Sequence, residues 1–154
     1  MNIRLISGEF GGRILEGSGT DRTHPMGERI RNAVFNKLGN EIDFKGLRVL
    51  DAFAGSGALG LEALSRGAES VVFIERDRVA QKVIMNNIAA LGVAENTKLI
   101  KAQVNSWVTT VTDEFDLIFA DPPYHDTQLS TVSKIIGVLK PNGLMVLSLP
   151  RDRK

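Results

Sequence analysis

Short apolar runs separated by stretches of helical periodicity constrain this chain more than any other feature. Val71-Val72-Phe73-Ile74 and Leu117-Ile118-Phe119-Ala120 contain no polar residue. A strand apolar on both sides must be covered on both faces. Between such runs lies a helical pattern: Asp77 in a capping position, then Val79, Val83, Ile84, Ile88 and Leu91 on one side, closed by Gly92. Strands alternating with helices predict a parallel sheet wound on both faces.

The same rhythm extends in both directions. Val49-Leu50 reads as a first sheet strand, and Leu59, Ala63 and Leu64 mark a helix ending at Gly67. Lys98-Leu99-Ile100 is a third strand, 105–111 a short helix and Phe115 to Ala120 a fourth strand. Leu129, Val132, Ile136 and Leu139 mark another helix, ended by Pro141-Asn142-Gly143, and Leu144 to Leu149 a fifth strand. Ahead of the sheet, Gly8 to Leu15 reads as a short strand or hairpin. A helix follows on Ile30, Ala33, Val34 and Leu38, stopping at Gly39. A length of 154 residues suits one domain. Residues 1–154 are expected to form it, with 1–47 as an N-terminal extension and helix and 48–154 as the α/β core.

In parallel sheets of this kind the ligand sits at the carboxyl ends of the strands. The first such end reads Asp51-Ala52-Phe53-Ala54-Gly55-Ser56-Gly57-Ala58-Leu59-Gly60. Gly55, Gly57 and Gly60 spell the GxGxxG of a dinucleotide turn, and Glu75 stands at the distance expected of a ribose ligand. Asp51 argues against a dinucleotide, because a carboxylate beside a pyrophosphate is electrostatically poor. It suits a cationic ligand. S-adenosylmethionine carries a sulfonium and an ammonium and no phosphate, and the turn resembles the first motif of class I S-adenosylmethionine-dependent methyltransferases. The enzymes it resembles often carry an acid after the third strand that accepts a hydrogen bond from the adenine amine; the resemblance puts Gln103 at that position, and its side-chain oxygen can accept the same bond.

The fourth strand ends Phe119-Ala120-Asp121-Pro122-Pro123-Tyr124. The prolines fix an extended backbone and keep it out of the sheet ladder. An acceptor side chain, a carbonyl and an aromatic ring then stand together. Asp121 and the Pro122 carbonyl can each accept one proton of an exocyclic amine, and Tyr124 can stack on the base. An aryl amine needs such acceptors, because its lone pair is delocalised and positive charge grows on nitrogen during methyl transfer. A sulfonium leaving group needs no metal activation.

Composition narrows the remaining possibilities. Cysteine is absent, which removes disulfides, thiolate metal sites and Cys nucleophiles, and two histidines, His24 and His125, are too few for a histidine-rich metal site; no metal is expected. The net charge of +1 excludes a strongly basic binder. No apolar segment is long enough for a membrane span, and the N-terminus lacks the core of a secretory signal, so no membrane partner and a cytoplasmic location are expected. The first 31 residues hold five arginines, Arg4, Arg13, Arg22, Arg29 and Arg31, and no lysine. Arginine grips phosphate through a bidentate fork, so these five are candidate RNA contacts.

Over nearly its whole length the chain resembles the bacterial small-subunit (16S) ribosomal RNA guanine-N(2) methyltransferase family (RsmD-type). The resemblance is carried by Leu50 to Ala68, by Phe119 to Tyr124, and by Ile6-Ser7-Gly8, Gly12-Arg13 and Arg29-Ile30-Arg31 through Phe35-Asn36. Thr23-His24-Pro25-Met26 and Asn32 depart from the family's usual residues. The resemblance implies a Rossmann-like class I methyltransferase fold, here without the C-terminal hairpin that completes the usual seven-stranded sheet. It implies catalytic roles for Asp121, Pro122 and Tyr124. It implies cofactor contacts from Asp51, Phe53, Gly55, Ser56, Gly57, Glu75, Arg76, Gln103, Val104 and Asp121, and a ribosomal RNA partner in the small subunit or its assembly intermediate. Other readings stay open at this point: an amino-methyltransferase for DNA adenine or cytosine or for protein glutamine, a nicotinamide oxidoreductase, or an RNA-binding homologue without turnover.

Overall fold

A computed structural model describes residues 2–17, 27–122 and 129–148. The chain opens with β1 (Asn2–Arg4) and β2 (Ile14–Glu16), an antiparallel pair with Ile3 opposite Leu15. Then come α1 (Glu28–Glu41), β3 (Arg48–Ala52), α2 (Ala58–Ser65), β4 (Ser70–Ile74), α3 (Arg78–Leu91) and β5 (Thr97–Ile100). They are followed by α4 (Val104–Val108), β6 (Phe115–Ala120), α5 (Leu129–Ile135) and β7 (Leu139–Leu147). The five later strands form one parallel sheet in the order β5-β4-β3-β6-β7.

That order sets where a ligand can bind. From β3 the chain winds to β4 and β5 on one side, then returns to place β6 and β7 on the other. The crevice at this reversal opens between the carboxyl ends of β3 and β6. Asp51 is paired with Phe119 and Ala52 with Ala120 there, so Asp121 follows directly at the same edge.

Successive residues of the strands feed two cores. Val49 and Phe73 face α1, α2, α3 and the hairpin, whereas Leu50 and Ile74 face the side of Val104 and Ile135. All eight residues of α2 are buried, because the sheet lies on one side of it and the N-terminal segment on the other. Gly60 allows the approach to the sheet: a Cβ there would lie 2.6 Å from Phe73 and 2.7 Å from Val71.

Three expectations are corrected by this packing. In α1 the buried face is Arg31, Phe35 and Leu38, while Ile30 is exposed and the helix continues through Gly39 to Glu41. The Phe35 ring packs at a tilt against Phe44 and Phe119, and so sets the helix rotation in place of Ile30. Val79 of α3 is likewise exposed. Pro141-Asn142-Gly143 does not separate a helix from a later strand. The last helix ends earlier in a 3-10 turn, Ile136–Val138, and β7 already begins at Leu139. The Pro-Asn-Gly segment makes an irregularity inside β7, where the register moves from Phe115 opposite Leu139 to Leu117 opposite Leu144. Asn142 takes φ 66° there, a conformation Asn tolerates.

Candidate active site

Backbone groups shape the glycine turn first. Phe53 (φ 57°), Gly55 (φ 61°) and Gly57 (φ 84°) turn the chain from β3 into α2, and Gly57 N–H donates to the Ala54 carbonyl at 2.9 Å. The first N–H groups of a helix lack helical acceptors and favour negative charge. Asp51 supplies both: its Oδ2 accepts the Gly60 N–H at 2.9 Å. The Glu75 carboxylate closes the turn from the next strand. Its Oε1 accepts Gly55 N–H and its Oε2 accepts Asp77 N–H, each at 2.8 Å. Asp77 caps α3 by accepting from Ala80 N–H at 2.9 Å.

Asp51, Glu75 and Asp121 stand along one strand edge. Burial pushes all three carboxyls above the ordinary range, Asp51 furthest, and the neighbouring Asp121 and Glu75 charges add to the Asp51 shift. The Gly60 N–H opposes that shift at Asp51, and the Asp77 and Gly55 N–H groups oppose it at Glu75. A hydrogen bond from the Ser148 side chain opposes it at Asp121. Ser148 is held by its own N–H, which donates to the Ala120 carbonyl at 2.9 Å. Among the described residues, no Lys or Arg forms an ion pair with any of the three carboxylates. Desolvated negative charge without a protein cation is costly, and a cationic ligand relieves it.

The family model described as Conserved hypothetical protein 95, the RsmD family, matches residues 3–154. The chain belongs to that family. The ribosomal RNA small subunit methyltransferase D of Escherichia coli (strain K12) is 35% identical over 92% of this chain and 68% of its own length. The protein of the same name from Haemophilus influenzae is 31% identical over 98% of this chain and 80% of its own. A solved structure of a Thermus thermophilus protein superposes with a TM-score of 0.82 at 29% identity, over 94% of this chain and 84% of that one. The sheet order and these relatives together give the Rossmann-like methyltransferase fold that the sequence led us to expect.

Within this RsmD-family chain the other expected site residues are distributed as follows. Pro122 is buried beside Asp121, and Tyr124 lies outside the described residues, as do Arg22, His24 and His125. Ser56 is buried in the turn. Arg76 is exposed next to Glu75. Gln103 is exposed at the start of α4, with Val104 buried beneath the chain there.

The arginines separate into different roles. Arg31 is not a surface phosphate contact: it is 2% exposed, its Nη1 lies 4.0 Å from Glu62 and donates to the Arg4 carbonyl at 3.2 Å. Its charge answers the buried Glu62, so an expected RNA residue is a core residue. Arg4 pairs with Glu28 at 2.6 Å on the surface. Arg13 donates to the Ala90 carbonyl at 2.9 Å, at the C-terminal end of α3 where a cation is favoured. Arg29 is exposed on α1.

Sequence reasoning missed the side chains that fasten the N-terminal segment to α2. Glu62, fully buried, accepts from Ile6 N–H at 2.9 Å, Ser7 N–H at 3.1 Å and Arg66 Nε at 2.9 Å. Ser65 Oγ donates to the Ser7 carbonyl at 2.6 Å and accepts from Phe10 N–H at 2.9 Å. Gly8 (φ 83°) passes so close that a Cβ would lie 1.9 Å from the Ser65 carbonyl oxygen. A glutamate amid Leu59, Leu61, Ala63 and Leu64 was the available signal.

Proposed function

We propose that this chain is an S-adenosylmethionine-dependent methyltransferase acting on the exocyclic N(2) amine of a guanine in small-subunit (16S) ribosomal RNA, in the cytoplasm. What carries this reading is the line of desolvated carboxylates, Asp51, Glu75 and Asp121, at the reversal of the sheet order. The donor set fits the cofactor. Each Glu75 oxygen holds one backbone N–H and keeps a second lone pair for a ribose hydroxyl. Asp51 and Asp121 add negative charge that matches a sulfonium and an ammonium. The ribosomal substrate is inferred from the names of the relatives, and the guanine amine from the Asp-Pro-Pro-Tyr chemistry.

Bound S-adenosylmethionine would supply an electrophilic methyl group. The chain's own residues would present the amine. Asp121 and the Pro122 carbonyl accept its two N–H protons, which draws the nitrogen toward a tetrahedral shape and frees its lone pair. Tyr124 supplies the ring on which the flipped base stacks. As positive charge grows on nitrogen, Asp121 opposes it. Burial raises the basicity of Asp121, which suits it to take the proton that the methylated amine sheds.

Two measurements test this. Nucleoside mass spectrometry of small-subunit rRNA, from cells with and without the gene, should show loss of N(2)-methylguanosine only. Persistence of that nucleoside, with loss of a methylated adenine or cytosine instead, overturns the guanine assignment. Purified Asp121→Ala should turn over about 10²–10³ times more slowly at saturating S-adenosylmethionine and RNA, a larger loss than its weakening of cofactor binding. Near wild-type turnover at saturation would mean that other residues orient the amine.

A further inference from the structure

Asn87 is a buried amide in the apolar stripe of α3, between Val83, Ile84, Ile88 and Leu91. A polar group in such a place is tolerated when its hydrogen bonds are made. Asn87 Oδ1 accepts the Glu16 N–H at 2.9 Å, and its Nδ2 donates to the Glu16 carbonyl at 2.9 Å and to the Ser56 carbonyl at 3.1 Å. One side chain therefore holds both backbone groups of the last residue of β2 and a carbonyl inside the glycine turn. Asn86 holds the same residue from outside, donating to Glu16 Oε1 at 3.2 Å.

We propose that Asn87 is a positioning residue that couples docking of the N-terminal hairpin to the order of the cofactor turn, and so to cofactor affinity. The coupling to cofactor rests on the S-adenosylmethionine reading above. The Ser56–Gly57 peptide precedes α2, and Gly57 holds φ 84° while donating to Ala54. Rotating that peptide would strip the Ser56 carbonyl and the Asn87 amide of each other within a buried site, where an unmade bond is costly. Asn87 is itself held in place by Glu16. When the hairpin leaves, the amide loses two of its three bonds and the turn loses a fixed donor. The attachments of the N-terminal segment on Glu62 and Ser65 reach α2, those of Arg4 reach α1 and that of Arg13 reaches α3, and none of these touches the turn. Linkage is reciprocal, so a ligand that orders the turn tightens the hairpin by the factor by which the hairpin tightens the ligand.

The test uses the full chain and S-adenosylhomocysteine as probe. Asn87→Ala removes the link. Asn87→Asp keeps the shape and the acceptor for Glu16 N–H but aims an oxygen at two carbonyls. Gly8→Ala disturbs the hairpin at a distance from the turn, through the Ser65 carbonyl. Calorimetric titration gives affinity, and amide exchange at Glu16 and Gly57 of the free protein reports the hairpin and the turn separately. Folded Asn87→Ala and Asn87→Asp should each bind the probe about tenfold more weakly and exchange faster at both amides. Gly8→Ala should speed Gly57 exchange as well, and adding it to Asn87→Ala should have little further effect. The proposal is overturned if either Asn87 variant folds with affinity and Gly57 exchange unchanged. It is also overturned if Gly8→Ala frees Glu16 without affecting Gly57. Should the wild type not bind the probe, the cofactor reading fails, while Gly57 exchange still decides the coupling of hairpin to turn.

Discussion

Replacing Asp51 by Asn separates the two things its carboxylate does. An amide oxygen can still accept the Gly60 N–H that Oδ2 holds at 2.9 Å, so the support of α2 survives. Only the charge is lost. In the free protein that charge is unfavourable, because burial, then Asp121 and Glu75, raise the Asp51 carboxyl well above its ordinary range. A group whose folded pKa is raised contributes stability that is full below its unfolded pKa and lost as pH rises through the folded value. The wild type begins to lose this contribution as pH rises above the ordinary carboxylate range, and Asp51→Asn has none to lose. The variant should therefore melt above the wild type at neutral pH, with the two melting curves converging as pH falls below the ordinary carboxylate range. Cofactor affinity should move the other way. Hydrogen bonds to charged groups are worth about 1.5–3 kcal/mol against about 0.5–1.5 for neutral pairs. The difference, about 1–1.5 kcal/mol, is roughly a five- to tenfold weaker Kd for S-adenosylmethionine. Scanning calorimetry across pH and isothermal titration measure the two arms. A variant that melts lower at neutral pH and binds cofactor as well as wild type would refute the view of Asp51 as a desolvated charge kept for a cation.

Two further outcomes follow from the N-terminal packing. Glu62→Ala removes the partner of buried Arg31 and the acceptor for Ile6 and Ser7, and should cost about 3–5 kcal/mol in urea unfolding, with Glu62→Gln milder. A loss below 1 kcal/mol would show that the site relaxes around the missing charge. Arg29→Glu, on an exposed residue, should weaken RNA binding and lower its salt slope by about one at unchanged stability, whereas Arg31→Met should act on stability first. The reverse pattern in filter-binding titrations would place Arg31 at the RNA.

The sheet was legible because its signals are local. A four-residue apolar run rich in β-branched residues, such as Val71 to Ile74 between Gly67 and Asp77, reads as a strand covered on both faces, and Asp77 and Gly92 punctuate α3 by their own backbone preferences. The carboxylate positions 51, 75 and 121 were legible for the same reason, since Glu75 and Asp121 directly follow β4 and β6 and Asp51 is the penultimate residue of β3. The bulge in β7 was not, because Pro-Asn-Gly terminates a helix and kinks a strand equally well, and the pairing with β6 decides between them.

Residue chemistry alone thus determined that the chain is an α/β protein with an acidic, glycine-turned strand edge. Tertiary structure decided what single polar residues do within it. Arg31 and Arg29 differ by two positions on one helix, yet Phe35 packing on Phe119 turns the first into the core and leaves the second in solvent. Glu62 and Asn87 lie in apolar stripes whose periodicity says only that they are buried. Their partners, Ile6, Ser7, Glu16 and Ser56, are 31 to 71 residues away in the chain. Periodicity along a helix reports which side faces inward, and contacts at such separations exist only once the hairpin, α2 and α3 have come together.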